Sequence, residues 1–306
     1  MTKGHDITNL PASIHDRLLE LARKQGMQYQ EMLQYFAMER FLYRLSCSTH
    51  ARAFVLKGAL MLRVWQIPQS RLTRDIDLLG FKSSTSAGLA EIIRDICRTE
   101  VVADGLVFPI EAIKTQEIRQ RTTYVGMRAQ FVAKLGSSVL PMQIDVGYAD
   151  AITPAPELIA YPVLLDFPAP KLRAYPRETT IAEKFQAMIE LGQDNTRMKD
   201  FYDLWQMSRT FEFDGETLCK AVRATFNRRN TQLKEELPTA LTDGFAANSV
   251  KITQWRAFLR KSRLQDAEDG WTEVILTIRA WLQPVIAALQ QNAALSKRWH
   301  PKDGWV

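Results

Sequence analysis

Six prolines fall between residues 151 and 178: Pro154, Pro156, Pro162, Pro168, Pro170 and Pro176. Each fixes φ and lacks a backbone N–H, so no long helix can cross this stretch. Extended segments are expected here, leading from one kind of periodicity to another. Residues 51–150 alternate between helical and strand patterns, whereas from Thr180 onward the pattern is helical. The chain therefore reads as α+β, a small mixed sheet with flanking helices followed by a helical domain. The expected division is an N-terminal helical segment (1–50), a mixed core (51–178), a helical domain (179–295) and a basic, mobile tail (296–306). With 306 residues the chain can bury a substantial core as one large domain or two.

Local signals fill in this frame. Residues 1–10 read as a loose lead-in, and Ser13-Ile-His-Asp16 as a helix start resembling a capping box. A second amphipathic helix is expected over Tyr29–Leu45, with Tyr35, Phe36, Phe41 and Tyr43 as packing groups. Phe54–Leu56 reads as a strand end, Lys57-Gly58 as a tight turn and Ala59–Trp65 as a helix. A polar loop (Ser83–Ala87), a helix (Leu89–Glu100) and a strand or hairpin (Val101–Ile113, turning at Asp104-Gly105) follow. Strands are then expected at Thr122–Leu135 and Leu140–Tyr148. Thr180-Ile-Ala-Glu183 fits a capping box, ahead of helices over Glu183–Leu191 and Arg197–Trp205, with further helices through 214–292.

The chemistry concentrates in Arg71-Leu-Thr-Arg-Asp-Ile-Asp-Leu-Leu-Gly80. Its branched apolar residues predict a short strand. On a strand Asp75 and Asp77 share one face, roughly 7 Å apart. Like charges this close repel, and a hard divalent cation such as Mg²⁺ resolves the conflict. Two solvated aspartates on a surface strand would also explain the pair. Upstream, Gly58 allows a close backbone approach to a ligand, with the N–H groups of the next helix offered to a phosphate; a plain turn glycine explains it equally. Asp145 sits in an apolar strand, where a lone carboxylate is costly. It is either a third member of the acidic set or a partly exposed edge-strand residue. Asp200 and Asp203 share a helical face and, with Lys199, could form a salt-bridged helix surface.

These motifs resemble the AbiEii/AbiGii toxin family of nucleotidyltransferases, the toxins of type IV toxin–antitoxin and abortive-infection systems. The resemblance rests on Lys57-Gly-Ala-Leu-Met-Leu-Arg63, Arg71–Leu79, Gln143-Ile-Asp-Val-Gly147, Ala182-Glu-Lys-Phe-Gln-Ala187 and Arg197–Leu204, in the family's order. Ala59 departs from a position often occupied by Gly or Ser. The resemblance implies a polymerase-β-like nucleotidyltransferase core whose active site is a cleft between the mixed and helical domains. It implies Asp75 and Asp77 as Mg²⁺ ligands, with Asp145 completing the set or activating the acceptor hydroxyl. Lys184 would reach the phosphates, with Asp200 near the site and Asp203 a helper. Gly58, Arg63 and Thr73 would belong to nucleotide binding. The implied reaction moves NMP from an NTP to an acceptor, expected to be the 3′ end of tRNA, with growth inhibition relieved by a cognate antitoxin. Transfer to a small molecule or a protein side chain is an alternative, as is nucleotide binding without catalysis.

Composition bears on partners. The formal charge of +6 is compatible with a polyanion such as RNA. Cys47, Cys97 and Cys219 show no CxxC pairing, so reduced thiols and a cytoplasmic setting are expected. The polar N-terminus lacks a signal-peptide core. No apolar run is expected to span a membrane, because Val274–Leu289 is interrupted by Arg279 and Pro284.

Overall fold

The structure is a computed structural model that describes residues 9–67, 71–81, 85–119, 125–264 and 270–306. The start of the expected lead-in, residues 83 and 84 of the expected loop and the start of the strand expected at Thr122 lie outside the described residues. The chain divides into two compact units. One comprises residues 1–64, 72–149 and 157–174, and the other comprises 65–71, 150–156 and 175–306.

The first unit opens with α1 (Leu10–Gln25) and α2 (Tyr29–Cys47). Asn9 caps α1 by accepting the Ala12 N–H, so the helix starts ahead of Ser13 and the capping box expected there does not form. The α2 residues Phe36, Met38, Phe41 and Leu42 are fully buried, in keeping with a packing role for its aromatic residues. Then come β1 (Phe54–Lys57), a short α3 (Leu60–Val64), β2 (Asp75–Gly80) and α4 (Ser86–Arg98). The strands β3 (Leu106–Val107), β4 (Lys114–Arg119), β5 (Val125–Leu135), β6 (Ser138–Tyr148), β7 (Glu157–Ala160) and β8 (Lys171–Ala174) complete the unit.

Among the described residues these strands form one eight-stranded mixed sheet, ordered β3-β5-β6-β2-β1-β8-β7, with β4 also paired to β5. Strand β2 is flanked by antiparallel β1 and parallel β6. Burial of Ile76, Leu78, Leu140, Ile144 and Val146 at 0–1 % exposure explains why apolar residues crowd these two strands. Asp145 is therefore central, and the edge-strand alternative fails. Only Leu106 and Val107 of the hairpin expected over 101–113 form a strand. Asp104 is buried and tied to Arg40 and Arg44 of α2, with Arg44 donating to both carboxylate oxygens at 2.6 and 2.9 Å. The chain still turns where expected, with Gly105 at φ +69° and Asp104 accepting the Leu106 N–H at 3.2 Å, but the turn joins no hairpin. Two of the extended segments expected in the proline-rich stretch are β7 and β8.

The second unit is mainly helical. It contains α5 (Arg177–Leu191), α6 (Met198–Thr210), β9 (Phe213–Asp214), α7 (Gly215–Arg228), α8 (Asp243–Ala246), α9 (Ser249–Ser262) and α10 (Trp271–Gln290). Helix α5 starts after Pro176, whose fixed φ suits a helix entry, so Thr180 is interior and its capping box does not form. Glu183 instead accepts a hydrogen bond from the Tyr175 hydroxyl at 3.0 Å and pairs with Arg229 at 3.5 Å. Helix α10 is long and apolar enough by composition to cross a membrane, contrary to expectation. Here Val274, Ile275, Ile278, Trp281 and Val285 make it a core helix, packed against α6, α7, α8 and α9. The basic tail is not loose. It carries β10 (Arg298–His300) and β11 (Gly304–Trp305), which form a three-stranded sheet with β9. Trp299 anchors it by donating to the Ser208 carbonyl at 2.7 Å.

Candidate active site

In the first unit, strand pairing gathers polar side chains on one face of the sheet. Register aligns Lys57 of β1 with Asp77 of β2, Asp77 with Asp145 of β6, Asp145 with Arg128 of β5, and Arg128 with Gln116 of β4. A second row, one pleat away, aligns Asp75, Gln143, Gln130 and Lys114. Residues directly across paired strands share a face, and so do i and i+2. Asp75, Asp77 and Asp145 are therefore on one side, while Ile76 and Ile144 face the opposite, buried side. Adjacent strands lie about 4.8 Å apart, which brings the Asp77 and Asp145 backbones closer together than those of Asp75 and Asp77. All three aspartates are half-buried.

Arg128 is the residue that motif reading missed. Its Nε and Nη2 donate to the two oxygens of Asp145 at 2.8 and 2.7 Å, a bidentate fork. The Asp145 hydrogen bonds, with the Asp75 and Asp77 charges beyond them, hold this guanidinium above the ordinary arginine pKa despite some burial. No spacing rule links residues 128 and 145. Only the β5–β6 register does.

Gly58 has a geometric reason to be glycine. Its φ is +74°, and a Cβ there would lie 1.9 Å from the Asp77 Oδ2. The turn spans Gly58 and Ala59, one residue later than expected, and α3 begins at Leu60. The N–H groups of Met61 and Leu62 close this turn on the Gly58 and Ala59 carbonyls, so they are engaged within the protein. Arg63 and Thr73 meet at Tyr35. The Arg63 guanidinium lies 4.3 Å from the Tyr35 ring centroid, and the Thr73 N–H donates to the Tyr35 hydroxyl at 3.2 Å.

The donor chemistry of this face fits a hard divalent cation. Mg²⁺ is usually held by one or two carboxylates, with substrate phosphates and water supplying the other oxygens. Gly58 lets the backbone pack directly against the Asp77 carboxylate, where a Cβ would overlap it. No closed protein cage exists among the described residues, where no group of three His, Cys, Asp or Glu side chains is placed to hold a metal. Asp145 is held in the fork of Arg128.

The second unit contains a different cluster. Asp200 and Asp203 are each 1 % exposed, so the salt-bridged helix surface considered for them is in fact a buried network. Lys184 Nζ lies 2.7 Å from both carboxylates. Arg71 forks Asp203 with two hydrogen bonds of 2.9 Å, and Arg197 pairs with Asp200. Burial works against the ionised carboxyls, but Lys184 and Arg197 hold Asp200 well below the usual range, and Arg71 and Lys184 lower Asp203. Burial likewise opposes the Lys184 charge, yet the two aspartates raise its pKa. Lys199 reaches solvent, but the protein around it and the cations Arg71, Arg197 and Lys184 lower its pKa against the pull of Asp200. Cations thus outnumber carboxylates in this cluster. Elsewhere in this unit Asp150 accepts from Arg229 at 3.0 Å.

A family model for the nucleotidyl transferase AbiEii toxin of type IV toxin–antitoxin systems matches residues 40–281. The fold is similar to a crystal structure described as a candidate nucleotidyltransferase from H. pylori. That likeness has a TM-score of 0.51 at 14 % identity and covers 87 % of this chain and 99 % of the other. JHP933 from Helicobacter pylori aligns with the same TM-score and identity, over 87 % of this chain and 95 % of its own. No match to a curated protein is found by sequence.

Proposed function

The chain belongs to the AbiEii family of nucleotidyltransferase toxins of type IV toxin–antitoxin systems, and from that premise we propose that it transfers an NMP unit from an NTP to RNA, at the 3′ end of tRNA, with Mg²⁺ as cofactor. The observation that carries this reading is the alignment of Asp75, Asp77 and Asp145 on one face of adjoining strands. In the proposed reaction the acceptor hydroxyl oxygen attacks the α-phosphorus, the bond to the bridging oxygen breaks, and pyrophosphate leaves. Mg²⁺, when bound, supplies Lewis-acid stabilisation of the phosphate charge. Asp75 and Asp77 would hold it, and Gly58, lacking a Cβ, lets the backbone lie against the Asp77 carboxylate. Asp145 completes the acidic set or takes the acceptor proton.

Lys184 is assigned to the triphosphate, and Asp200 and Asp203 keep its ammonium charged and oriented. The cation excess of its cluster supports a polyanionic ligand. Arg63 and Thr73, joined through Tyr35, are assigned to nucleotide binding. The charge of +6 supports an RNA acceptor, whose phosphate contacts make binding salt-sensitive. Cys47, Cys97 and Cys219 form no disulfide, which supports a cytoplasmic setting. A cognate antitoxin is the implied protein partner. Incubation with each labelled NTP, Mg²⁺ and total cellular RNA tests the reading. Label in tRNA-sized RNA is expected, and label confined to protein or a small metabolite rejects the RNA acceptor. Expression without antitoxin is expected to arrest growth; normal growth with soluble protein present rejects toxicity.

A further inference from the structure

Three carboxylates, Asp75, Asp77 and Asp145, share the sheet face with three cations, Lys57, Arg128 and, in the Asp75 row, Lys114. Arg128 turns one edge of its guanidinium, Nε and Nη2, to a single acid. A planar fork meeting both carboxylate oxygens satisfies the acid's strongest acceptor directions at once. An oxygen that already accepts such a bond is a poorer metal ligand. The pair is only partly exposed, at 30 % for the Arg128 side chain and 20 % for Asp145, so solvent does not fully screen it.

Resting on the metal reading above, we propose that Arg128 is a positioning residue that holds Asp145 in reserve, so that the three carboxylates can share a divalent cation only after the fork opens. Without nucleotide, the guanidinium offsets the charge of the acidic face and keeps Asp145 off the metal. Mg²⁺ then depends on NTP phosphate oxygens for its remaining ligands. The arriving triphosphate supplies the negative charge that competes for the guanidinium and frees Asp145. Metal and nucleotide thereby bind together, and the ion alone is held weakly.

The test measures Mn²⁺ binding without nucleotide, from the electron paramagnetic resonance signal of the free ion, alongside thermal melts. Wild type, Arg128→Gln, Asp145→Asn and the double variant are compared. Removing any nearby cation strengthens metal binding somewhat, and Arg128→Gln in the Asp145→Asn background measures that general effect. In the native background the gain is expected to exceed it by about tenfold, the low end for a hydrogen bond to a charged group. Arg128→Lys keeps the charge but cannot fork, and is expected to fall between wild type and Arg128→Gln; should Arg128→Gln fail to fold, it replaces that variant in the comparison. Equal gains in the two backgrounds, or no gain in a folded variant, overturn the proposal. Asp77→Asn separates this from the underlying reading: if it binds Mn²⁺ as wild type does, the metal assignment on β2 is what fails.

Discussion

Two groups of aspartates in this chain have opposite surroundings. On the sheet, Asp75, Asp77 and Asp145 are half-buried side by side on adjoining strands. In the helical unit, Asp200 and Asp203 are buried and gripped by Lys184, Arg71 and Arg197. Like charges gathered at a surface cost the fold free energy and are useful only if a cation arrives. Buried charges met by opposite ones are compensated in place, and removing one partner leaves the others without it. The same residue type is thus expected to matter for reaction in one place and for folding in the other.

The strongest test of that contrast is Asp203→Ala. It leaves Arg71 without the buried carboxylate it forks and Lys184 with Asp200 alone, and is expected to cost about 3–5 kcal/mol in denaturant unfolding. A loss below about 1 kcal/mol, the level of an exposed pair, would break the comparison. The sign of the pH dependence follows. Asp200 and Asp203 have depressed pKa values, so their contribution is present above the unfolded carboxylate range and is lost as pH falls through their folded values.

Next in size is Asp77→Asn, which keeps the shape and removes a charge. Transfer is expected to fall by about 10²–10³, as when one electrostatic contact is lost from an active site. Its metal-free melting temperature should move by no more than about 2 °C. A variant that melts far lower while keeping its rate would reverse the roles of the two regions.

Glu39 of α2 sharpens the comparison as a buried acid less well compensated. Burial pushes its carboxyl up to about 7, against the Leu164 N–H and the Arg40 and Arg63 charges that lower it. The folded state keeps this proton while the unfolded chain, with a value near 4.5, has lost it. Stability present below 4.5 is therefore lost as pH rises to about 7. At pH 8 Glu39→Gln should exceed wild type by up to roughly 3 kcal/mol, with the gap closing in acid. Melting curves against pH decide this, and a pH-independent difference contradicts it.

A smaller stability loss than for Asp203→Ala is expected for Gly58→Ala. The left-handed backbone costs about 1–2 kcal/mol for a residue with a Cβ. That Cβ also collides with the Asp77 carboxylate, so activity should fall by more than the stability loss explains. An unchanged rate would mean that Asp77 can move aside without consequence.

Local chemistry made much of this molecule legible from residues alone. Alternation predicted that β2 would carry Asp75 and Asp77 on one face, because side-chain direction on a strand depends on nothing distant. Proline density predicted the break between sheet and helices, because φ restriction acts within a residue or two. Other local signals lost to longer-range contacts. The Asp104-Gly105 turn formed, but Asp104 is tied to α2 and no hairpin was built around it, and the basic tail was captured by β9 and the Ser208 carbonyl.

Among the assigned site residues, identity came from the chain and partnership from the fold. The sequence by itself determined which carboxylates lie on β2, the glycine before α3, and the motif order that marks the family. Only the tertiary structure decided that Asp77 and Asp145 are register mates, that Arg128 forks Asp145, and that Lys184 is locked between Asp200 and Asp203. The physical reason is that strand register and ion pairing depend on how distant segments are packed together, and the neighbours of a residue along the chain carry little information about that packing.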